Sequence, residues 1–532
     1  MSNIQGNIRI EEVSLTLDES EEALKKKIAT ILGLPEEEIV SYSIVKKTID
    51  SRRRNILFIY SLDVKVKNVK AIKKWDKRHR CRIQEPFVYV EKKLKNKVNK
   101  KIVVVGSGPA GLFATLLLAK AGLNPILIER GKDVEARIKD VNKFSLTAEL
   151  NPKSNIQFGE GGAGTFSDGK LYTLINDPRS KYIFGEMVKA GAPEEIMWSG
   201  RPHIGTDRLR KAVINLRKEI IDLGGEVRFE TCLTDLKIKD DKIEAVILND
   251  KEELPVDDLI LATGHSARDT YKMLHENNLK MSSKSFSIGL RIEHHAEMIN
   301  KCQYGDNYKH PKLDTAKYKL AQHLEANRSV YTFCMCPGGY VMGATSEEGG
   351  VVVNGMSEYA QDGENSNSAV LVPIQARDFG SDHPLAGIEF QREWERKAFL
   401  AGGSNYSAPV QLVGDFLAKK PSTQIKSVEP TYTPGIKPTS LDPCLPDHVL
   451  ESIRDALPLF DKKVNGFAHP EAVLTGVETR SSSTVRVERD EQYQSNIAGI
   501  YPTGEGAGYA GGIVSSAIDG LKVAETIIEK YG

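Results

Sequence analysis

Three glycines at fixed spacing, Gly106-x-Gly108-x-x-Gly111, stand between an apolar β-branched run, Lys101–Val105, and a helical one, Leu112–Lys120. The pattern suits a dinucleotide. Gly106 permits the tight turn out of a strand, Gly108 lets backbone approach a pyrophosphate, and Gly111 lets helix pack closely on strand. Pro109 and Ala110 complete the turn, and the helix behind them offers free amides and the positive end of its dipole to the pyrophosphate. Gly122 ends that helix and Pro125–Ile128 reads as a second strand. Glu129 follows it 18 residues after Gly111, with Arg130 next. That is near the spacing of about 20 expected for an acid that accepts ribose hydroxyls.

Two further glycine loops are rich enough to serve a ligand. One reads QFGEGGAGTFSDGK over residues 157–170. Gly162 and Gly164 let backbone approach closely, and Thr165, Ser167, Asp168, Gly169 and Lys170 supply polar groups beside them. No GKS/T follows, so it is not a Walker A loop. The other, GIYPTGEGAGYAGG over 499–512, leads into a helix beginning at Ile513. There Gly504, Gly511 and Gly512 let backbone approach a planar ring, and the helix dipole would favour negative charge on it by on the order of 0.3–2 kcal/mol.

These segments carry a resemblance. GSGPAG with the later Glu-Arg-Gly resembles the FAD-binding form of the fingerprint in glutathione reductase-like flavoproteins. LILATG, ending at Thr263 and Gly264, looks like the motif by which that family's chain returns to the nucleotide domain. The loop at 499–512 looks like its C-terminal flavin motif, where an Asp binds the ribitol; Glu505 stands there instead, one methylene longer. With GHSARD (264–269), FCMCPGGYVMGATSEEGG (333–350) and GVETRSSSTVRV (476–487), the chain resembles, over essentially its whole length, a family of uncharacterised bacterial FAD-dependent dehydrogenases. The resemblance implies an FAD cofactor and a flavin oxidoreductase fold, and it names no substrate.

Redox chemistry would then come from the flavin, since no side chain carries a hydride. The protein would position a small organic substrate and supply an acid or base. His265 could be a general acid or touch the nucleotide; it could equally just pack. Arg291 and Arg480 have the bidentate fork for a carboxylate clamp, or they are structural ion pairs, for which Glu478 beside Arg480 is a ready partner. Cys334 and Cys336 form CxC, readable as a redox dithiol or as buried thiols. The CxxxxC of disulfide reductases is absent after the first fingerprint. No second GxGxxG follows a strand, so NADH or NADPH would act only as a transiently bound donor. No HExxH or spaced metal cluster occurs, so no metal is expected.

Positioning these residues needs several domains, and 532 residues exceed the roughly 100–200 of one. The expected class is α/β. A discontinuous Rossmann-type FAD domain spans 99–269 and 471–532, with an inserted α+β substrate domain at 270–470. Residues 1–98 form a small α+β module in the order β-α-β-β: IRIEEVSLTL, SEEALKKKIATILG, IVSYSIVKKTI and ILFIYSLDVKV. With 40% hydrophobic and 27% charged residues the chain is globular, and no signal peptide or membrane span is evident, so the expected location is cytoplasmic. Six cysteines are too sparse for a disulfide framework. The net charge of +1 hides a basic stretch at 65–101, where 15 Lys and Arg against three acids give 15 − 3 = +12. It could dock RNA, although no RRM or KH signature accompanies it, or it is a solvated surface and linker. Besides a flavin oxidoreductase, then, the sequence admits an FAD-assisted RNA-modifying or RNA-binding protein and a protein in which FAD is structural.

Overall fold

The computed structural model describes residues 6–53, 55–72, 75, 77–84, 88–94, 96, 98–173, 175–325 and 328–532. The N-terminal module opens with β1 (Gly6–Thr16), α1 (Ala23–Leu32), β2 (Ile39–Asp50), β3 (Leu57–Val66) and β4 (Arg82–Ile83). These strands form an antiparallel sheet in the order β2-β3-β1-β4. Strand alternation would bury Ile8 and Ile10 but expose Val13 and Leu15. A bulge between Ile10 and Val13, with Glu12 at φ +58°, resets the register and buries all four. Gly33, at φ +64°, ends α1.

Lys73, Lys74, Asp76, Glu85, Lys95 and Lys97 of the basic stretch lie outside the described residues. Several of its other cations meet carboxylates: Arg80 and Arg82 pair with Glu11, Lys92 with Glu529, and Lys100 with Asp257. The stretch also runs into the rest of the molecule, where the Tyr89 hydroxyl donates to Glu525 at 2.6 Å.

The nucleotide unit is a five-stranded, all-parallel sheet. Its spatial order is the strand Ile500–Pro502, the strand Asp258–Leu261, β5 (Ile102–Val105), β6 (Ile126–Ile128) and β7 (Glu226–Arg228). The apolar run Ile102–Val105 is fully buried, as a central parallel strand requires. Between β5 and β6 runs α2 (Pro109–Lys120), buried continuously from Ala110 to Ala119. One side of it meets the sheet and another meets the terminal helix Ile513–Tyr531, where a Cβ on Gly520 would sit 2.1 Å from the Ala110 carbonyl oxygen. A three-stranded antiparallel sheet over residues 233–255 leaves and re-enters this unit.

The middle of the chain builds a seven-stranded sheet centred on Phe286–His295, which pairs antiparallel with Asn365–Ile374 on one side and Val473–Glu478 on the other. Val473–Glu478 corrects the expected division at residue 470: this strand belongs to the middle sheet, and the chain returns to the nucleotide unit after it. Its short, fully buried run VLTGVE reads the same in either sheet, so sequence could not place it. Among the described residues no helix is long and apolar enough to cross a membrane.

Candidate functional site

The three glycine loops converge on one open cleft of about 240 Å³. At the β5–α2 turn Gly106 takes φ +99°, and its Cβ would lie 2.4 Å from the Ala262 carbonyl oxygen. A Cβ on Gly111 would lie 1.8 Å from the Gly106 oxygen. Both glycines are therefore demanded by the protein's own packing. Gly108 is different: a Cβ there would meet nothing nearer than Gly162 Cα at 4.0 Å. On the C-terminal loop Gly511 likewise has open space around it. Neither has a left-handed φ, so neither is required by the fold. Bare backbone at two such points on a cleft wall, one at the N-terminus of α2, suits a group that must lie against it. A dinucleotide fits that description.

Glu129 ties the site together. Its carboxylate accepts from the Ser107 amide (2.9 Å) and hydroxyl (2.8 Å), the Gly131 amide (2.9 Å) and the Gly159 amide (3.0 Å), joining the first loop to the loop 157–170. Arg130 stacks over Phe158 at 4.6 Å and pairs with Asp269 at 2.9 Å. In the loop 157–170 Gly162 packs against Gly108, and Gly162, Gly164 and Ser167 reach the cleft. Thr165 does not line the cleft: its hydroxyl turns inward to the Glu160 carbonyl. Asp168, Gly169 and Lys170 also lie off the wall. Gly169 packs on Ile204 and Gly205, and Asp168 pairs with Lys170 at 3.0 Å.

At the opposite wall the Gly504 amide and Thr503 hydroxyl donate to Asp519 of the terminal helix at 2.7 and 2.8 Å. This hangs the loop carrying Glu505, Gly511, Gly512 and Ile513 beside the cleft. Burial pushes the Glu505 carboxyl up to about 7, with Lys284 opposing. Thr263 and Gly264 line the floor at the end of the strand Asp258–Leu261. Sequence reading missed Gln157, Thr231 and Asn354, which also line the cleft. Thr231 could have been found, because it follows β7 much as Glu129 follows β6.

Three expected reactive residues are corrected by their surroundings. Arg291 is fully buried and its fork is spent: it donates to both Glu478 oxygens (2.7 and 3.0 Å) and to Asn367 (2.6 Å). It is a structural ion pair, not a substrate clamp. Arg480 reaches the cleft wall, but it donates to Glu395 at 3.0 and 2.9 Å and to Ser346. Arg268 shares the same Glu395, at 2.9 and 2.7 Å. Despite its burial, Glu395 is held well below the carboxylate range by these two guanidiniums. His265 lines the cleft beside this network. Burial first, then Arg480 and Arg268, lower it to about 3, so the imidazole is neutral and the imidazolium acid expected from the sequence is not available. Cys334 lines the cleft, and Cys336 is buried behind it.

Comparison with known proteins agrees with this geometry. Residues 99–139 match an FAD binding domain, residues 285–481 a family described as FAD-dependent protein, C-terminal domain-like, and residues 7–65 a domain of unknown function. An uncharacterised protein of Clostridium beijerinckii is 48% identical over 98% of this chain and 99% of its own. Solved structures that align include a mutant of the halogenase PltM in complex with FAD (11% identity, 82% of this chain and 70% of that one, TM-score 0.38). They also include the flavin-dependent brominase Bmp2 (11%, 81% and 79%, TM-score 0.36) and glycine oxidase from Bacillus cereus (12%, 82% and 96%, TM-score 0.31). The chain belongs to the same family as the clostridial protein, a family of FAD-dependent proteins, and its cofactor is FAD.

Proposed function

We propose that this member of an FAD-dependent family is an oxidoreductase that passes a hydride between a small organic substrate and the flavin, on a glutathione reductase-like FAD unit. The observation that carries the reading is the convergence of glycine loops 106–111, 161–164 and 504–512 on one cleft, although nearly 400 residues separate the first from the last. The order of the parallel sheet supports it, as does the antiparallel sheet inserted before the strand Asp258–Leu261.

Bound FAD supplies the two-electron chemistry. The chain's own residues do the rest. The free amides at the start of α2 bind negative charge, and Glu129 holds the loops 106–111 and 157–170 in register. The N-terminus of the helix Ile513–Tyr531 favours an anionic ring. Burial, then the charges of Arg480 and Arg268, keep His265 neutral, so that imidazole can donate or accept a hydrogen bond but does not hold an ionising proton near neutral pH. The middle of the chain brings Phe333, Asn354 and Ser481 to the cleft, and a substrate would be met on that side.

The test is a reductive one. Purified protein should carry flavin absorbance, or acquire it on adding FAD; failure of both overturns the reading. Anaerobic bleaching by one of NADH, NADPH or a panel of carboxylic acids and amines would identify the donor class. Bound flavin that none of these reduces, while dithionite does, would point instead to structural FAD.

A further inference from the structure

Cys334 and Cys336 lie in the strand Ser329–Cys336. Strand alternation puts residues two apart on one face but leaves their side chains about two residue rises apart. Here a bulge between Phe333 and Cys336, with Cys334 at φ +45°, turns both sulfurs toward one ammonium, and the Cys336 thiol donates to the Cys334 carbonyl oxygen at 3.3 Å. Cys334 faces the cleft, and Cys336, with no exposed surface, lies behind it. The Lys170 ammonium sits 3.7 Å from the Cys334 sulfur and 3.5 Å from the Cys336 sulfur. Asp168 holds it at 3.0 Å and in turn accepts from Gln361 at 3.1 Å. Two sulfurs, one cation aimed at both and an anchor for that cation are more than packing requires.

We propose that Cys334 and Cys336 are a redox-active dithiol–disulfide pair on the wall of the flavin cleft, exchanging two electrons with the flavin, and that Lys170 is the positioning residue that holds Cys334 as a thiolate. The proposal rests on the reading of the cleft as a flavin site. In the forward step the Cys334 thiolate and Cys336 thiol close an Sγ–Sγ bond. Cys336 gives up its proton, and two electrons and that one proton pass to the oxidised flavin. The site carries one negative charge before and after, which the fixed Lys170 charge matches in both states.

The electrostatics run the same way. The adjoining Cys336 thiol, then the charges of Lys170 and Arg291, hold Cys334 well below the usual thiol range against burial. The neighbouring Cys334 sulfur and burial push Cys336 up. Burial alone would lower Lys170, but Asp168 and the two sulfurs raise it, so it stays charged. A low-pKa thiolate backed by a second thiol is the arrangement from which disulfide exchange proceeds.

Two measurements on the full-length protein decide it. After mild oxidation with diamide, mass analysis should find an intramolecular Cys334–Cys336 disulfide whether or not flavin is bound. Anaerobic dithionite titration of the oxidised holoprotein should take four electrons per flavin, falling to two in Cys334→Ser and in Cys336→Ser. Lys170→Met should slow alkylation of Cys334 near neutral pH by roughly tenfold, and Lys170→Arg should restore most of it. A wild type that binds flavin, takes only two electrons and yields no disulfide overturns the thiol pair and leaves the flavin reading standing. A protein that forms the disulfide but never binds FAD overturns the flavin reading, and with it the electron exchange.

Discussion

A methyl group on Gly108 would meet open space, whereas one on Gly111 would collide with backbone at 1.8 Å. The two glycines of one motif therefore fail differently when replaced. Gly108→Ala is expected to leave the melting temperature of the apoprotein within about 1–2 °C while weakening FAD binding about tenfold or more, because the methyl occupies space the pyrophosphate needs. Calorimetry of the apoprotein and FAD fluorescence titration would check both halves. Glu505 predicts a pH effect. Its carboxyl, pushed up to about 7, is half protonated near neutrality. An ionised carboxylate accepts hydroxyl hydrogen bonds about twice as strongly as a neutral one. FAD affinity should therefore rise, by up to about tenfold, as pH climbs through about 7, and Glu505→Gln should flatten the profile. At this scale glycine spacing made the cleft legible in the sequence. The Arg268–Glu395–Arg480 network was not legible, because its members lie 127 and 85 positions apart and nothing local marks them as partners.

At the scale of elements, α2 is held between a parallel sheet and the terminal helix. The close approach at Gly520 sets their spacing, and any side chain there must push into the Ala110 backbone at 2.1 Å. Gly520→Val is expected to destabilise the fold by about 1–3 kcal/mol or more and to lower FAD affinity with it, since α2 presents its N-terminus to the cleft. Thermal unfolding with and without FAD would show both losses together, unlike Gly108→Ala. The N-terminal strands and α1 were readable from alternation and a glycine stop. The bulge at Ile10–Val13 was also implicit, in an apolar pattern that changes parity. Val473–Glu478 was not readable, because which sheet a strand joins is decided by partners almost 200 residues away.

For the molecule as a whole, acid should be a specific stress. His294 is buried in the middle unit, its Nε2 2.7 Å from the Phe467 carbonyl oxygen, and burial lowers it to about 4. The unfolded chain would take up a proton below about 6.5 that the fold refuses. The folded pKa is depressed, so the contribution is fully present above about pH 6.5 and is lost as pH falls to about 4. It amounts to about 3 kcal/mol. In His294→Gln, whose amide can keep the bond to Phe467, this part of the acid limb should disappear from chemical-denaturation midpoints measured across that window. The division into nucleotide and middle units was visible in the sequence as a change of composition. The ties between them were not, because they are made by single side chains.

The edge strand Ile500–Pro502 and the helix Ile513–Tyr531 are made long after α2, yet they complete the cleft and cover that helix. On a ribosome adding about 5–20 residues per second, α2 waits about 20–80 s for its covering helix. Through that interval its apolar side is available to chaperones and to other nascent chains. Cofactor capture therefore waits until residues 500–531 have been made and folded, and a cell short of FAD would accumulate chains that hold this strand and helix beside an open cleft.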